Sequence, residues 1–147
     1  VSLKLFDRYK EFGEAVAGSD HVALGNLTTG DFTANLGVRG MERLSLSDLL
    51  TEVARLKTGM PDFGQNIKRG PWSIGTGANS NRLTIDLIIT ATFSGILQGR
   101  TSGSVRGDGR VVDLKQRDVA FFAPDGKIRR IQVTPDANNL TLLFDRH

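Results

Sequence analysis

Chemistry in this chain has to come from carboxylates, amides, hydroxyls and guanidinium groups. It contains no cysteine, which excludes disulfide scaffolds, thiolate metal sites, iron–sulfur clusters and cysteine nucleophiles. Imidazole is limited to His21 and His147, the latter the last residue, so neither a histidine metal site nor a Ser-His-Asp arrangement is expected. That inventory leads us to expect no metal and no cofactor. His21 falls in a short predicted helix and reads as a surface or helix-packing residue. Asp118 is a candidate for contact with a bound molecule, but its facing is open. Arg117, Val119 and Phe121 alternate against Asp118, Ala120 and Phe122, so both faces of that strand carry apolar residues. Asp86 lies opposite the apolar set of its own strand and suits an interface or a surface ion pair. Trp72, the only tryptophan, could wall a flat ligand or pack in the core.

Other motifs exclude more than they suggest. Gly75-Thr76-Gly77-Ala78-Asn79-Ser80 is a near miss to a dinucleotide loop, yet it joins strands and has no helix N-terminus to hold a phosphate. Arg100, Arg106, Arg110 and Arg117 are interleaved with Asp108, Asp113 and Asp118 and lack interspersed aromatics, so a solvated hairpin is expected there rather than a nucleic-acid surface. The net charge of +3, from 19 basic and 16 acidic residues, is weak support for a nucleic-acid partner, and none is expected. The longest apolar run, Leu87-Ile88-Ile89, is broken at once by Thr90, so no membrane span or membrane partner is expected. No basic, apolar, small-residue signal opens the sequence, which makes the cytoplasm the expected compartment.

The elements that must position these groups form one domain over residues 1–147, a length sufficient for a single sizeable core. From Leu3 to Ala17, the residues Leu5, Phe6, Tyr9, Phe12 and Val16 recur at helical spacing. Gly18 ends that helix, and Ser19-Asp20 can cap a short second one. Asp31 to Gly37 reads as a loop or short hairpin. Ser45 to Asp48 is a capping-box-like start; Leu49, Val53, Leu56 and Met60 then form one buried stripe before Pro61 closes the third helix.

Sheet follows. Pro71 to Gly75 predicts a short strand, and the glycines and asparagines up to Asn81 predict a turn. Leu83 to Gln98 predicts a long strand with Leu83, Ile85, Leu87, Ile89, Ala91 and Phe93 toward a core. Arg100 to Phe122 returns as further strands interrupted at Gly107-Asp108-Gly109, and Pro124-Asp125-Gly126 makes the last hairpin turn. Lys127 to Val133 and Leu140 to Phe144 finish the sheet. Helices first and strands afterwards make an α+β pattern. Long, glycine-rich antiparallel strands predict a strongly curved, mostly antiparallel sheet with the N-terminal helices packed on one side, a half-cone with an interior pocket. Ile88, Thr84, Thr90 and Thr92 fall on a face those helices cannot cover and predict a homodimer.

Several stretches together carry a resemblance. Gly40-Met41-Glu42-Arg43 with Met60-Pro61-Asp62-Phe63 is similar to the "G-x-E … F-P-D-L" signature of SnoaL-like polyketide cyclases, a group of the NTF2-like superfamily. Thr90-Ala91-Thr92-Phe93-Ser94-Gly95 continues the likeness, as does Asp125-Gly126-Lys127-Ile128 followed by Asp136. Each motif alone is loose, since "D-G-K-I" is also a hairpin turn entering a strand. Their order and spacing over nearly the whole chain carry the resemblance. It implies an NTF2-like cone, usually dimeric, with a deep apolar pocket between helices and concave sheet. Ring cyclases, steroid isomerases, dehydratases and epoxide hydrolases share that fold with non-catalytic binding domains, so fold is implied more firmly than reaction.

The same resemblance implies a site. Asp136 matches the cyclases' general base, with Gln132 on the same strand; the plainer alternative is a polar turn that Asp136 caps. Asn35 is implied as a pocket residue that could hold a substrate oxygen, or else it bonds its own backbone. Arg39 could supply a fixed positive charge, or be solvated. Phe93 stands where such cyclases commonly carry a pocket histidine, which removes an acid partner and makes the pocket more apolar. The expected function is a cofactor-independent cyclase, isomerase or dehydratase of small-molecule, secondary metabolism. It would act by proton transfer on an apolar carbonyl compound or polycycle, with Asp136 as base, Asn35, Gln132 or Arg39 holding oxygen, and Trp72 and Phe93 shaping the cavity. A non-catalytic ligand- or protein-binding module is one alternative. Epoxide hydrolysis is another, and would need two pocket carboxylates flanking an arginine, as with Asp118 inward beside Arg39.

Overall fold

Amphipathic segments with well-formed caps build the helical layer. The computed structural model describes residues 2–99 and 103–136. Helix α1 spans Ser2–Ala17 and buries Tyr9, Phe12 and Ala15. Helix α2, His21–Leu27, starts at Asp20, whose side chain accepts a hydrogen bond from the Ala23 N–H at 3.1 Å. Helix α3, Leu46–Gly59, starts at Ser45, whose Oγ accepts from the Asp48 N–H at 3.1 Å. Its stripe Leu49, Val53, Leu56 is buried as the spacing predicts, each side chain contributing about 1.5–3 kcal/mol of apolar transfer.

The helices pack on a five-stranded sheet. Its strands are β1 (Thr28–Asn35), β2 (Ile67–Ile74), β3 (Arg82–Thr92), β6 (Val111–Phe122) and β7 (Ile128–Pro135), in the order β1-β7-β6-β3-β2. Among the described residues only the β1–β7 pair is parallel, so the curved sheet is mixed and mostly antiparallel. Two short strands, β4 (Ile96–Gln98) and β5 (Ser104–Arg106), form a separate hairpin. The α+β cone is therefore present.

Three details differ from expectation. The stretch read as a loop or hairpin at Asp31 to Gly37 belongs mostly to β1, an edge strand whose only deeply buried apolar residues after Thr28 are Phe32 and Ala34, too few to announce alternation. β2 begins at Ile67, before the predicted Pro71, and its register with β3 shifts between Arg69 and Trp72. The long strand ends at Thr92, short of Gln98, because the backbone of Phe93 turns to pair with Arg110 and Gly109. Gly95 then docks on the end of α3, where an added Cβ would stand 2.2 Å from the Thr58 carbonyl oxygen. The predicted strand Leu140 to Phe144 lies outside the described residues.

Two of the family-like motif residues act structurally. Asp62 accepts a hydrogen bond from the Thr92 N–H at 2.9 Å, tying the loop after α3 to the end of β3. Gly126 takes φ +87° in the β6–β7 turn, a conformation that favours glycine.

Candidate active site

A carboxyl group sits in the middle of the sheet's inward face. Along β6, Leu114, Asp118, Ala120 and Phe122 are buried, so this parity faces the helices. Asp118 pairs across the sheet with Ile85 on one side and Val133 on the other, both buried, and is itself 2% exposed. Its charge therefore has little water around it. Two donors replace that water. Tyr9, on the buried stripe of α1, donates its hydroxyl to Oδ2 of Asp118. Gln116, two residues earlier on the same face of β6, donates Nε2–H to Oδ1 at 2.8 Å.

Burial disfavours the ionised carboxyl and pushes Asp118 up to about 6, while the hydrogen bonds from Tyr9 and Gln116 oppose the rise. Tyr9 is held well above its ordinary value, first by burial and then by the neighbouring Asp118 charge, with Arg69 acting in the opposite direction. A carboxyl poised near neutrality can accept a proton and return it, and a phenol that stays protonated keeps donating throughout.

These groups border a cavity of about 150 Å³ between α1, α3 and the sheet. Phe12, Val16, Leu49, Leu56, Ile89 and Ile131 make most of its lining apolar. Cavities of this size hold about one aromatic ring. Besides Asp118, Gln116 and Tyr9, the polar lining is Glu52 from α3 and Arg69 from β2. Glu52 is paired in a fork with Arg55, Nε to Oε1 at 3.0 Å and Nη2 to Oε2 at 2.7 Å.

Of the residues expected at the site, only Asp118 lines this cavity. Asp136 is exposed; the inward residues at its end of β7 are Ile131 and Val133, so Gln132 and Thr134 face outward and are exposed as well. The Asp136 backbone N–H bonds to the Lys115 carbonyl at 2.9 Å. Asn35 uses its Oδ1 to accept from the Gly37 N–H at 2.8 Å, the local backbone bond that competed with its pocket role. Arg39 is exposed. Trp72 stacks on Phe6 with ring centroids 5.1 Å apart, against the core rather than in the cavity wall. Phe93 is buried in a second apolar cluster with Leu56, Met60 and Leu97. Asp86 makes the expected surface ion pair, to Arg117 at 2.8 Å.

Tyr9, Gln116, Glu52 and Arg69 escaped the sequence reading. Tyr9 was visible only as a member of an apolar stripe, and Gln116 only as the i−2 neighbour of an acid whose facing was open. Arg69 shares parity with Ile67, which was the available signal.

No protein-family model matches the chain. No curated protein matches it either. Solved structures do match. A SnoaL-like polyketide cyclase from a Jannaschia species, provisionally so assigned, superposes with a TM-score of 0.73 at 12% identity, covering 99% of this chain and 94% of that one. AclR from Streptomyces galilaeus, provisionally assigned as a hydroxylase, gives 0.71 at 15% identity, with 97% of each chain covered. SalBIII, described as an epoxide hydrolase/cyclase-like enzyme in pyran ring formation of the polyether salinomycin, gives 0.63 at 17% identity, covering 93% of this chain and 94% of that one. At such identities the likeness is one of fold, and the fold is that of the SnoaL-like, NTF2-like proteins.

Proposed function

We propose that the protein is an acid–base enzyme of the cyclase or isomerase kind, acting on a small apolar carbonyl compound with Asp118 as its proton carrier. One observation carries this reading: a buried carboxyl, raised toward neutrality and held by two donors, opens on an apolar cavity. In this reading Asp118 takes the role that the sequence suggested for Asp136, because it is the cavity acid that no arginine neutralises. Ionised Asp118 would remove a proton from the carbon beside the carbonyl, leaving an enolate and a neutral carboxyl. In a cyclisation the enolate carbon then bonds to a second carbonyl carbon, and Asp118 returns its proton to the new alkoxide. In an isomerisation or dehydration it returns the proton to another carbon or to a departing hydroxyl. Each route restores Asp118 and consumes no further reagent.

The cavity's size favours a substrate whose reacting part is a single ring, with any larger skeleton in the mouth. The structure-based likeness to cyclases supports the reaction class. Epoxide opening has a second pocket carboxylate in Glu52 and a cavity-lining arginine in Arg69, although Arg39 is exposed; but Arg55 occupies both oxygens of Glu52, so only Asp118 is left to move a proton. That geometry favours proton transfer.

Hydrogen–deuterium exchange at the ring CH₂ groups of indan-2-one, followed by proton NMR in heavy water, tests the reading without knowledge of the natural substrate. The protein should accelerate exchange, and Asp118→Asn should remove most of that acceleration, by a factor of roughly a hundred or more. Equal exchange with and without the Asp118 carboxyl contradicts the proposal.

A further inference from the structure

Arg69 stands where an apolar residue would be expected. It pairs across β2–β3 with Leu87, and the next inward position toward the strand's start, Ile67, pairs with Ile89. Both partners are buried members of the core face. Arg69 thus belongs to the inward row and lines the cavity. Arg69 is half-buried, so its guanidinium loses part of its hydration, a loss normally offset by a carboxylate or by carbonyl oxygens.

No such offset is present among the described residues. Arg69 makes no hydrogen bond or ion pair there, whereas Arg55 is forked onto Glu52 and Arg117 onto Asp86. The two acids of the cavity are committed elsewhere: Glu52 to Arg55 through both oxygens, Asp118 to Tyr9 and Gln116 through both of its own. Helix α1 also makes room for the group. Gly13 faces Arg69 with no side chain, and a Cβ there would stand 3.3 Å from Nη2. A glycine within a helix costs about 1 kcal/mol relative to alanine, so the space is obtained against local propensity.

We infer that Arg69 is the recognition point for a carboxylate on the ligand, so that the cavity selects a small apolar carboxylic acid whose ring lies among the aliphatic and aromatic side chains. This inference rests on the reading of the cavity as a substrate site, and adds the substrate's charge. An arginine offers parallel N–H donors that match the two oxygens of a carboxylate, and in a cavity poor in other polar groups that match sets orientation. The carboxylate at Arg69 would fix which ring carbon approaches Asp118.

Calorimetric titration with cinnamate and with cinnamamide, a matched anion and neutral amide, reads the inference as binding alone. At about pH 8 the intact protein should bind cinnamate at least about tenfold more tightly than cinnamamide. Arg69→Met should abolish that preference, and Arg69→Lys, which retains the charge, should retain part of it. Equal affinity for the two probes, no binding of cinnamate, or an undiminished preference in Arg69→Met overturns the assignment. Asp118→Asn should bind cinnamate as well as the parent or better, because a negative neighbour has been removed. Indan-2-one carries no carboxylate, so the exchange assay can succeed where this one fails, and the reverse.

Discussion

Replacing Asp118 by asparagine should make the protein more stable at neutral pH and slightly less stable at acid pH. The carboxyl's pKa rises from 3.8 to about 6 on folding, chiefly through burial. The folded state therefore holds the proton more tightly than the unfolded chain. The protonated group's full contribution is present below about pH 4 and is lost as pH rises through 6. At about 1.36 kcal/mol per pH unit, the rise amounts to roughly 3 kcal/mol by pH 7. Asparagine has nearly the same shape and no charge, so it escapes that loss, though it must turn its amide toward Tyr9 and forgo one good hydrogen bond, at about 1 kcal/mol. Urea unfolding of both proteins at half-unit steps between about pH 4 and 7 measures the difference, and the other titrating groups cancel in it. Their stabilities should diverge by roughly 2.5 kcal/mol across that range, with most of the change between pH 4 and 6. Parallel curves would refute the claim that this carboxyl is ionised against the grain of its surroundings.

Asp136→Asn should leave indan-2-one exchange within about twofold of the parent, since that side chain is exposed and outside the cavity; a hundredfold loss would return the catalytic role to Asp136. Gly59→Ala should destabilise the protein by about 1–3 kcal/mol in chemical unfolding, because its Cβ would stand 2.7 Å from Leu97 Cβ and 3.0 Å from Leu97 Cα. Unchanged unfolding would show that the β4 hairpin does not pack so closely on α3. The uncovered sheet face bearing Thr84, Ile88, Thr90 and Thr92 leads us to expect a dimer in sedimentation at micromolar concentration, and a monomer would contradict that expectation.

The fold was legible wherever one period dominated. Leu83, Ile85, Leu87, Ile89 and Ala91 all face the core as strict alternation required, and Leu49, Val53, Leu56 and Met60 are buried as a helical stripe requires. Edge strand β1 was illegible because, after Thr28, only Phe32 and Ala34 are deeply buried apolar residues, with Gly30 and Asp31 exposed between. The facing of Asp118 was hidden by Phe121, an outward aromatic covered by the guanidinium groups of Arg82 and Arg130 at 4.8 and 4.3 Å. Counting register back from β3 could not resolve it, since the β4–β5 hairpin interrupts the connection between β3 and β6. Asp136 was a different case. Its parity with Gln132, against Ile131 and Val133, already placed it on the outward face; the motif outweighed the alternation.

Titration of the Asp118 side-chain carboxyl by carbon NMR, with and without indan-2-one, reads the proton carrier itself. The carboxyl should titrate at about 6 in the free protein and higher still when the ketone excludes water from the cavity. An ordinary carboxylate value near 4 that the ketone does not move would contradict that role.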